Sequence, residues 1–381
     1  MTRVTGDWLT RTETQTVLAM LTQVGHQAYL VGGCVRNALL GVDISDIDMA
    51  TDALPERVTE LAERAGLRVI PTGLAHGTVT VVARGIPHEI TTFRKDIATD
   101  GRHAAVRFSG KLEDDANRRD FTMNALYADA NGAVFDPVCG LPDIRIRRVR
   151  FIGDSNERIA EDYLRILRFF RFHASYGDPS AGIDPEGLAA CAAGAGGLDQ
   201  LSGERIGGEM RKLLGTADPT PSVAAMSASG ILAHVMPGAN LTPLGPLIHL
   251  EAAKTPDWTR RAATLGGQDL ALRWRLSKAE TKRVETLRDA ATNPEPPQIT
   301  AYKHGAEIAQ NVVLINAALM EQHVPDCSEA IQRGATARFP VSSADLMPEL
   351  QGPTLGQKLT ELEQLWLASD FTLSREDLLA M

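Results

Sequence analysis

The chain has 381 residues, 44% hydrophobic and 23% charged, with 39 Lys and Arg against 48 Asp and Glu for a formal net charge of −9. That composition excludes a disordered or low-complexity chain, and the length fits two or three packed units at roughly 100–200 residues each. No apolar run reaches the roughly 20 residues that a bilayer-spanning helix needs, and Cys34, Cys139, Cys191 and Cys327 form no CxxC pair, which argues against structural zinc or a disulfide framework. The opening stretch "MTRVTGDWLTRTETQTV" lacks the basic-then-apolar pattern of a signal peptide, so a cytoplasmic protein is expected. An acidic total does not exclude a nucleic-acid partner, because the distribution of charge decides. Here "DIRIRRVR" (143–150) and "RILRFFRF" (165–172) concentrate arginine.

In chain order, "QAYLVGG" (27–33) predicts a buried strand ending in a tight turn, and "VRNALLG" (35–41) a short helix with a glycine stop. "DIDMAT" alternates as a strand does. "LPERVTELAERAG" (54–66) has helical spacing, with Pro55 near its start and Gly66 at its end. "GTVTVVARG" (77–85) and "HEITTFR" (88–94) read as consecutive strands joined at Gly85-Ile86-Pro87. From about residue 155 helical periodicity takes over, through "RIAEDYLRILRFFRFHASYG", "ERIGGEMRKLLG", "DLALRWRLSKAETKRVETLRDAA" and "AEIAQNVVLINAALMEQ". Proline and glycine clusters separate these blocks. The expected architecture is α+β: a mixed-sheet head followed by a long all-α remainder.

Asp46 and Asp48 stand two apart, so on a strand both carboxylates face one side. Adjacent carboxylates repel and raise each other's pKa unless a cation lies between them, and a hard divalent ion suits oxygen ligands. The same D-x-D pattern is common in surface loops. Its neighbours sharpen it: Gly32 and Gly33 can bring bare backbone N–H groups against an anion, and Arg36 can reach the same anion. A phosphate site beside a metal pair is what nucleotidyl transfer requires. Glu89, on the alternate face from Ile90, is the candidate third carboxylate. Arg118, Arg119 and Asp120 fit either an exposed salt-bridge cluster or a binding segment. On a helix, Asp162, Arg165, Arg168 and Arg171 form one stripe, which suits paired structural residues and recognition of a base edge equally.

Taken together, "YLVGGCVRNALLG", "SDIDMATDALPE", "HGTVTVV", "EITTFRKD", "RRDFTMNALYAD", "DPVCGLPDI", "RFIGD", "EDYLRILRFFRF" and "LSGERIGGEMRKLL" resemble the class II tRNA nucleotidyltransferase and bacterial poly(A) polymerase family over about residues 28–215. The resemblance implies a nucleotidyltransferase (polymerase beta-like) head over 1–150. It implies a helical neck with the nucleotide-selecting helix over 151–240, and a tRNA-binding body and tail over 241–381. It further implies that Asp46 and Asp48 bind catalytic Mg2+, with Glu89 supporting or activating the primer hydroxyl. Gly32, Gly33 and Arg36 would meet the incoming nucleotide's phosphates, and Arg119, Asp120 and Asn124 its base-and-ribose segment. Glu161, Asp162 and Arg165 match the family's EDxxR element, whose aspartate and arginine read the edge of CTP or ATP. Arg168 and Arg171 match further nucleotide-contacting arginines. The acceptor would be the 3′ end of tRNA, with no membrane and no protein partner inferred, and Lys278, Lys282 and Arg283 are candidate phosphate contacts.

One departure stands out: the family's VRD is VRN here, with Asn37 where an aspartate is usual. The expected activity is addition of CCA to tRNA from CTP and ATP. A poly(A) polymerase or a partial C- or A-adding enzyme on the same scaffold is the nearest alternative, and an inert RNA-binding protein is the alternative of another class. The segment "RKDIATDGRHAAVRF" (94–108) resembles the loop implicated in switching from C to A addition, which favours the complete activity.

Overall fold

Alternating burial along Thr78–Ala83, with Val79, Val81 and Ala83 inward, marks a strand with one packed face, and six residues of such alternation are enough to seed a sheet. The computed structural model describes residues 2–100, 103–252 and 254–381. Gly101 and Arg102, at the centre of the 94–108 segment, lie outside them. The chain divides into two compact units, Met1–Pro237 and Gly238–Met381.

The first unit opens with α1 (Asp7–Thr10) and α2 (Thr12–Thr22), then β1 (Ala28–Val31), α3 (Gly33–Leu40), β2 (Asp48–Thr51) and α4 (Pro55–Arg64). The strands β3 (Arg68–Gly73), β4 (Thr78–Ala83) and β5 (Ile86–Thr92) come next, then a separate hairpin of β6 (Arg94–Asp100) and β7 (His103–Phe108). After α5 (Leu112–Asn117) come the two-residue strands β8 (Tyr127–Ala128) and β9 (Val134–Phe135). The mixed sheet runs β3-β4-β5-β2-β1-β8-β9, and only the β2–β5 pair is parallel. Each short helix ends for a local reason. Pro55 begins α4, where its missing N–H costs nothing, and Gly41 closes α3 in the left-handed conformation that lacks a steric penalty only for glycine.

The rest of the unit is helical: α6 (Leu141–Arg145), α7 (Ser155–Glu161), α8 (Leu164–Tyr176), α9 (Pro185–Ala193), α10 (Gly203–Leu214), α11 (Thr220–Ala228) and α12 (Ile231–Val235). The stretch 157–172 reads as one helix by periodicity, but the structure breaks it. Asp162 is extended (φ −157°, ψ 105°), and its Oδ1 accepts from the Leu164 N–H to start a new helix. Periodicity cannot register such a break, because α7 and α8 each keep their own apolar face. Phe121 from the segment after α5 packs among Phe151, Phe169 and Phe172, with ring centroids 5.0–6.2 Å away. These rings join the sheet-bearing head to α8.

In the second unit Trp274 is fully buried, and Trp366 on the helix Gly352–Ala368 packs with Tyr302, Phe339 and Phe371. Glu251 sits buried between Arg260 and Arg261, and Asn311 accepts a further bond from Arg260. Arg283, a candidate phosphate contact, pairs with Asp257 at 2.9 Å and Glu307 at 2.7 Å, and Lys278 and Lys282 are exposed. Among the described residues no helix is long and apolar enough to cross a membrane.

Removing the Phe121 ring leaves a cavity at the centre of this aromatic cluster. Phe121→Ala is expected to destabilise the first unit by about 3–5 kcal/mol, read as a lower urea midpoint. A loss under about 1 kcal/mol would mean that the head and α8 are not held together there.

Candidate active site

The glycine turn is the first element of the site along the chain, and it sets where α3 begins. Gly32 has φ +70°, and an added Cβ would come within 3.4 Å of Arg119 Nη1 and 3.7 Å of the Asn124 carbonyl oxygen. A side chain here would be strained by the left-handed backbone and would lie in van der Waals contact with Arg119. Gly33 then opens α3 with its free N–H groups at the helix start, which is a ready anion site.

Arg36, one turn further on, is only 6% exposed. Its Nε and Nη2 donate to Asn37 Oδ1 at 3.1 and 2.8 Å, Nη1 to Asn124 Oδ1 at 2.5 Å, and Nη2 also to the Tyr176 hydroxyl at 2.8 Å. The guanidinium stacks 3.9 Å from the Tyr176 ring centroid. All of these acceptors are neutral. Burial, with Arg171 and Arg168 nearby, lowers its pKa despite Tyr176 and Asp120. Asn37 explains its own departure from the usual aspartate: its Oδ1 takes the arginine while its Nδ2 donates to the Asp43 carbonyl at 2.7 Å, tying down the loop that leads to Asp46. An aspartate has no donor for that carbonyl.

Asn124 carries the network on, donating from Nδ2 to Asp120 Oδ1 at 2.9 Å, and Asp120 Oδ2 accepts from Arg168 on α8 at 2.5 and 2.8 Å. Burial raises the Asp120 carboxyl, but Arg168 and the hydrogen bonds outweigh it and hold it at about 2. Arg119 donates to Asp115 Oδ2 at 2.9 Å and to the Tyr127 hydroxyl at 3.1 Å, and Arg118 pairs with the same carboxylate. Asp115 is fully buried. Desolvation pushes it up, yet Arg119 and Arg118 bring it down to about 2. Arg118, Arg119 and Asp120 are thus a half-buried to buried network, not an exposed cluster.

The carboxylates lie on the β2–β5 seam. Asp48 begins β2 and is in register with Glu89 on the parallel β5. Residues paired in register across a sheet face the same side. Asp46 stands in the loop two residues before β2, not on the strand as the alternation predicts, but it lines the same cleft as Asp48 and Glu89. Burial first, then Glu89 and Asp46, push the Asp48 carboxyl up to about 6, against the pull of Arg119 and Arg36. Among the described residues no three His, Cys, Asp or Glu side chains form a closed metal-ligand set. A hard divalent ion is held by carboxylate oxygens together with waters and substrate phosphates. The oxygen donors and the uncompensated charge at Asp48 suit such an ion.

The expected stripe of Asp162, Arg165, Arg168 and Arg171 is divided among different partners. Arg165 pairs with Glu161 and donates to the Arg158 and Arg118 carbonyls, while Asp162 accepts from Arg205 on α10 at 2.6 Å. Arg171 Nε donates to Glu209, also on α10, at 2.5 Å. Asp115, Tyr127, Tyr176, Arg205 and Glu209 are therefore structural members of the site that spacing did not reveal. Only the dense polar content of "LSGERIGGEMRKLL" hinted at the last two.

The family profile described as "Poly A polymerase head domain" matches residues 28–150, and "Probable RNA and SrmB- binding site of polymerase A" matches 182–241. The CCA tRNA nucleotidyltransferase 1, mitochondrial, of Mus musculus is 32% identical over 93% of this chain and 86% of that protein. The CCA-adding enzyme of Limosilactobacillus fermentum is 31% identical over 91% and 90%. The crystal structure of the Bacillus stearothermophilus CCA-adding enzyme in complex with CTP superposes with a TM-score of 0.80, at 29% identity, over 97% of this chain and 95% of that one. A mixed sheet with a glycine turn beside paired carboxylates, backed by an arginine-bearing helix, defines a nucleotidyltransferase. With relatives of this extent and identity, the chain belongs to the class II CCA-adding tRNA nucleotidyltransferase family.

Two outcomes test this geometry. Asn37→Asp places a carboxylate on Arg36 and removes the Asp43 tether, so binding of tripolyphosphate should weaken by about 1–2 kcal/mol by calorimetry; unchanged affinity would mean that Arg36 is not an anion site. The raised Asp48 carboxyl favours the folded state only while protonated, so its contribution to stability declines as pH rises from about 4 to about 6. A divalent cation needs the ionised form and should raise Tm more at pH 7.5 than at pH 5. An equal rise at both would exclude Asp48 as a ligand.

Proposed function

We propose that this protein completes the 3′ end of tRNA by adding CCA from CTP and ATP, without a nucleic-acid template. The observation that carries this reading is the in-register pairing of Asp48 with Glu89, beside Asp46, in a chain of this family. The acceptor's 3′-hydroxyl oxygen attacks the α-phosphorus of the bound nucleotide. A new P–O bond forms as the bond to the β-phosphate oxygen breaks, and pyrophosphate leaves.

In this reading Asp46 and Asp48 hold the divalent cation, proposed to be Mg2+, which when bound supplies charge stabilisation at the attacking and leaving oxygens. Glu89 accepts the hydroxyl proton or orients the hydroxyl in this reading. Gly32, Gly33 and Arg36 bind the triphosphate, with Arg36 already desolvated and short of an anion. Arg119, Asp120 and Asn124 form the wall against the sugar and base. Asp162 and Arg165 read the base edge, which requires each to exchange its partner, Arg205 or Glu161, for the nucleotide. Glu161, released from Arg165, completes the nucleotide-selecting element with Arg168 and Arg171, which add contacts to the nucleotide beside their pairs with Asp120 and Glu209. Residues 1–150 are assigned the chemistry, 151–240 nucleotide selection and 241–381 the tRNA.

The test supplies a tRNA transcript lacking its last three nucleotides with CTP and ATP, singly and together. Three additions that require both nucleotides and then stop are expected. A long adenosine tail from ATP alone would replace this reading with a poly(A) polymerase, and no extension with retained RNA binding would replace it with an inert binder. Asp48→Ala should abolish incorporation, at least about a thousandfold, with tRNA affinity nearly intact; a variant that still extends primers overturns the metal assignment. Arg165→Ala should lose discrimination between CTP and ATP at little change in Tm. Intact selectivity with a lowered Tm would make Arg165 a structural residue only.

A further inference from the structure

The cleft of about 470 Å³ that Asp46, Asp48 and Glu89 line is bounded on its other wall by Trp8 and Arg11, from the start of the chain and outside the matched head profile. None of Gly32, Arg36, Arg119, Asp120, Asp162 and Arg165 lines it. Asp48 connects the two regions, since it faces this cleft and also feels Arg119 and Arg36. If the nucleotide occupies the arginine side, the cleft is the space across the carboxylates from it. An in-line displacement brings its attacking oxygen from the side opposite the leaving group. The occupant of the cleft is then the acceptor strand, an inference that rests on the function proposed above.

A polyanion approaching three carboxylates needs a cation on the protein wall. Among the described residues Arg11 is the only basic side chain lining the cleft. It is half-buried, its Nε donates to the Asp7 carbonyl at 3.3 Å, and among the described residues it forms no ion pair with a carboxylate. Most arginines around the nucleotide side are committed to one, as Arg119 is to Asp115 and Arg168 to Asp120.

Its position is also rigid. Arg11 links α1 to α2, its N–H donating to the Asp7 carbonyl at 2.9 Å and its carbonyl accepting from the Gln15 N–H at 3.1 Å. Trp8 is 6% exposed, and its carbonyl accepts from the fully buried Thr14 hydroxyl at 2.9 Å. The same hydroxyl lies 3.1 Å from His88 Nε2, and His88 precedes Glu89 on β5. The turn that carries Arg11 is thereby pinned to the strand that carries the third carboxylate.

We propose that Arg11 binds a backbone phosphate of the RNA acceptor's 3′-terminal strand and seats that strand against Glu89. The test measures steady-state kinetics of Arg11→Gln and Arg11→Lys with a tRNA transcript lacking CCA, varying the transcript and CTP separately and repeating over a range of salt. For Arg11→Gln, KM for the transcript should rise roughly tenfold and the salt slope of log kcat/KM should fall by about 1, as for loss of one phosphate contact. KM for CTP and Tm should stay at wild-type values, and Arg11→Lys should recover most of the transcript affinity. An unchanged KM for the transcript overturns the inference, as does a rise confined to CTP, which would move Arg11 to the triphosphate side. A fall in Tm with both KM values worsening together would make the arginine structural and also overturn it. Wild-type protein that adds nothing to the transcript would instead defeat the underlying functional reading, so the two failures are distinguishable.

Discussion

A buried arginine without a carboxylate of its own organises the catalytic half of this protein. Arg36 is held by a side chain from its own helix, by Asn124 and by Tyr176 on α8, three points far apart in the chain. A desolvated cation is costly unless it is well hydrogen-bonded, and the loss of any one acceptor leaves a buried donor exposed to that cost. The glycine turn, the segment after α5 and α8 are therefore held in one mutual arrangement. Asn124 extends this constraint to Asp120 and Arg168, so that the polar network crosses from the sheet to α8 alongside the phenylalanine cluster.

That arrangement separates charge in a useful way. Arginines collect on one side of the seam and carboxylates on the other, with Asp48 between them. On the arginine side most of the guanidinium groups are neutralised by Asp115, Asp120, Glu161 or Glu209, which leaves Arg36 as the cation most in need of an anion. On the carboxylate side the balance is reversed, and the charge at Asp48 is relieved only by a cation. Each side lacks what one component of a metal–triphosphate complex supplies. Asp162 and Arg165 are each engaged by a protein group, so in the proposed base-reading role a nucleotide edge must compete with Arg205 and Glu161 for them.

Much of the head was legible in the sequence because its signals are local. Gly33–Leu40 and Pro55–Arg64 end where glycine and begin where proline say they should, and Thr78–Ala83 and Ile86–Thr92 obey period-two alternation, whereas Asp48–Thr51, inside the sheet, is buried on both faces. The signals failed where a decision was made at a distance. Helical spacing ran straight through Asp162, because the break depends on one capping bond and on Arg205, some forty residues later. The pairs of Arg283 with Asp257 and Glu307 were equally hidden, because those partners are distant in sequence.

By itself, then, the sequence determined the order of elements, the glycine turn, the presence of two closely spaced acids and a third strand glutamate, and, through its resemblance, the family. Tertiary structure alone decided which of these groups face one another. It set Glu89 opposite Asp48 by parallel pairing, placed Asp46 in a loop rather than on the strand, and brought Tyr176 and Asn124 onto Arg36. The physical reason is that local periodicity reports which face of an element is apolar, whereas the partner of a buried charge is chosen by which elements pack together.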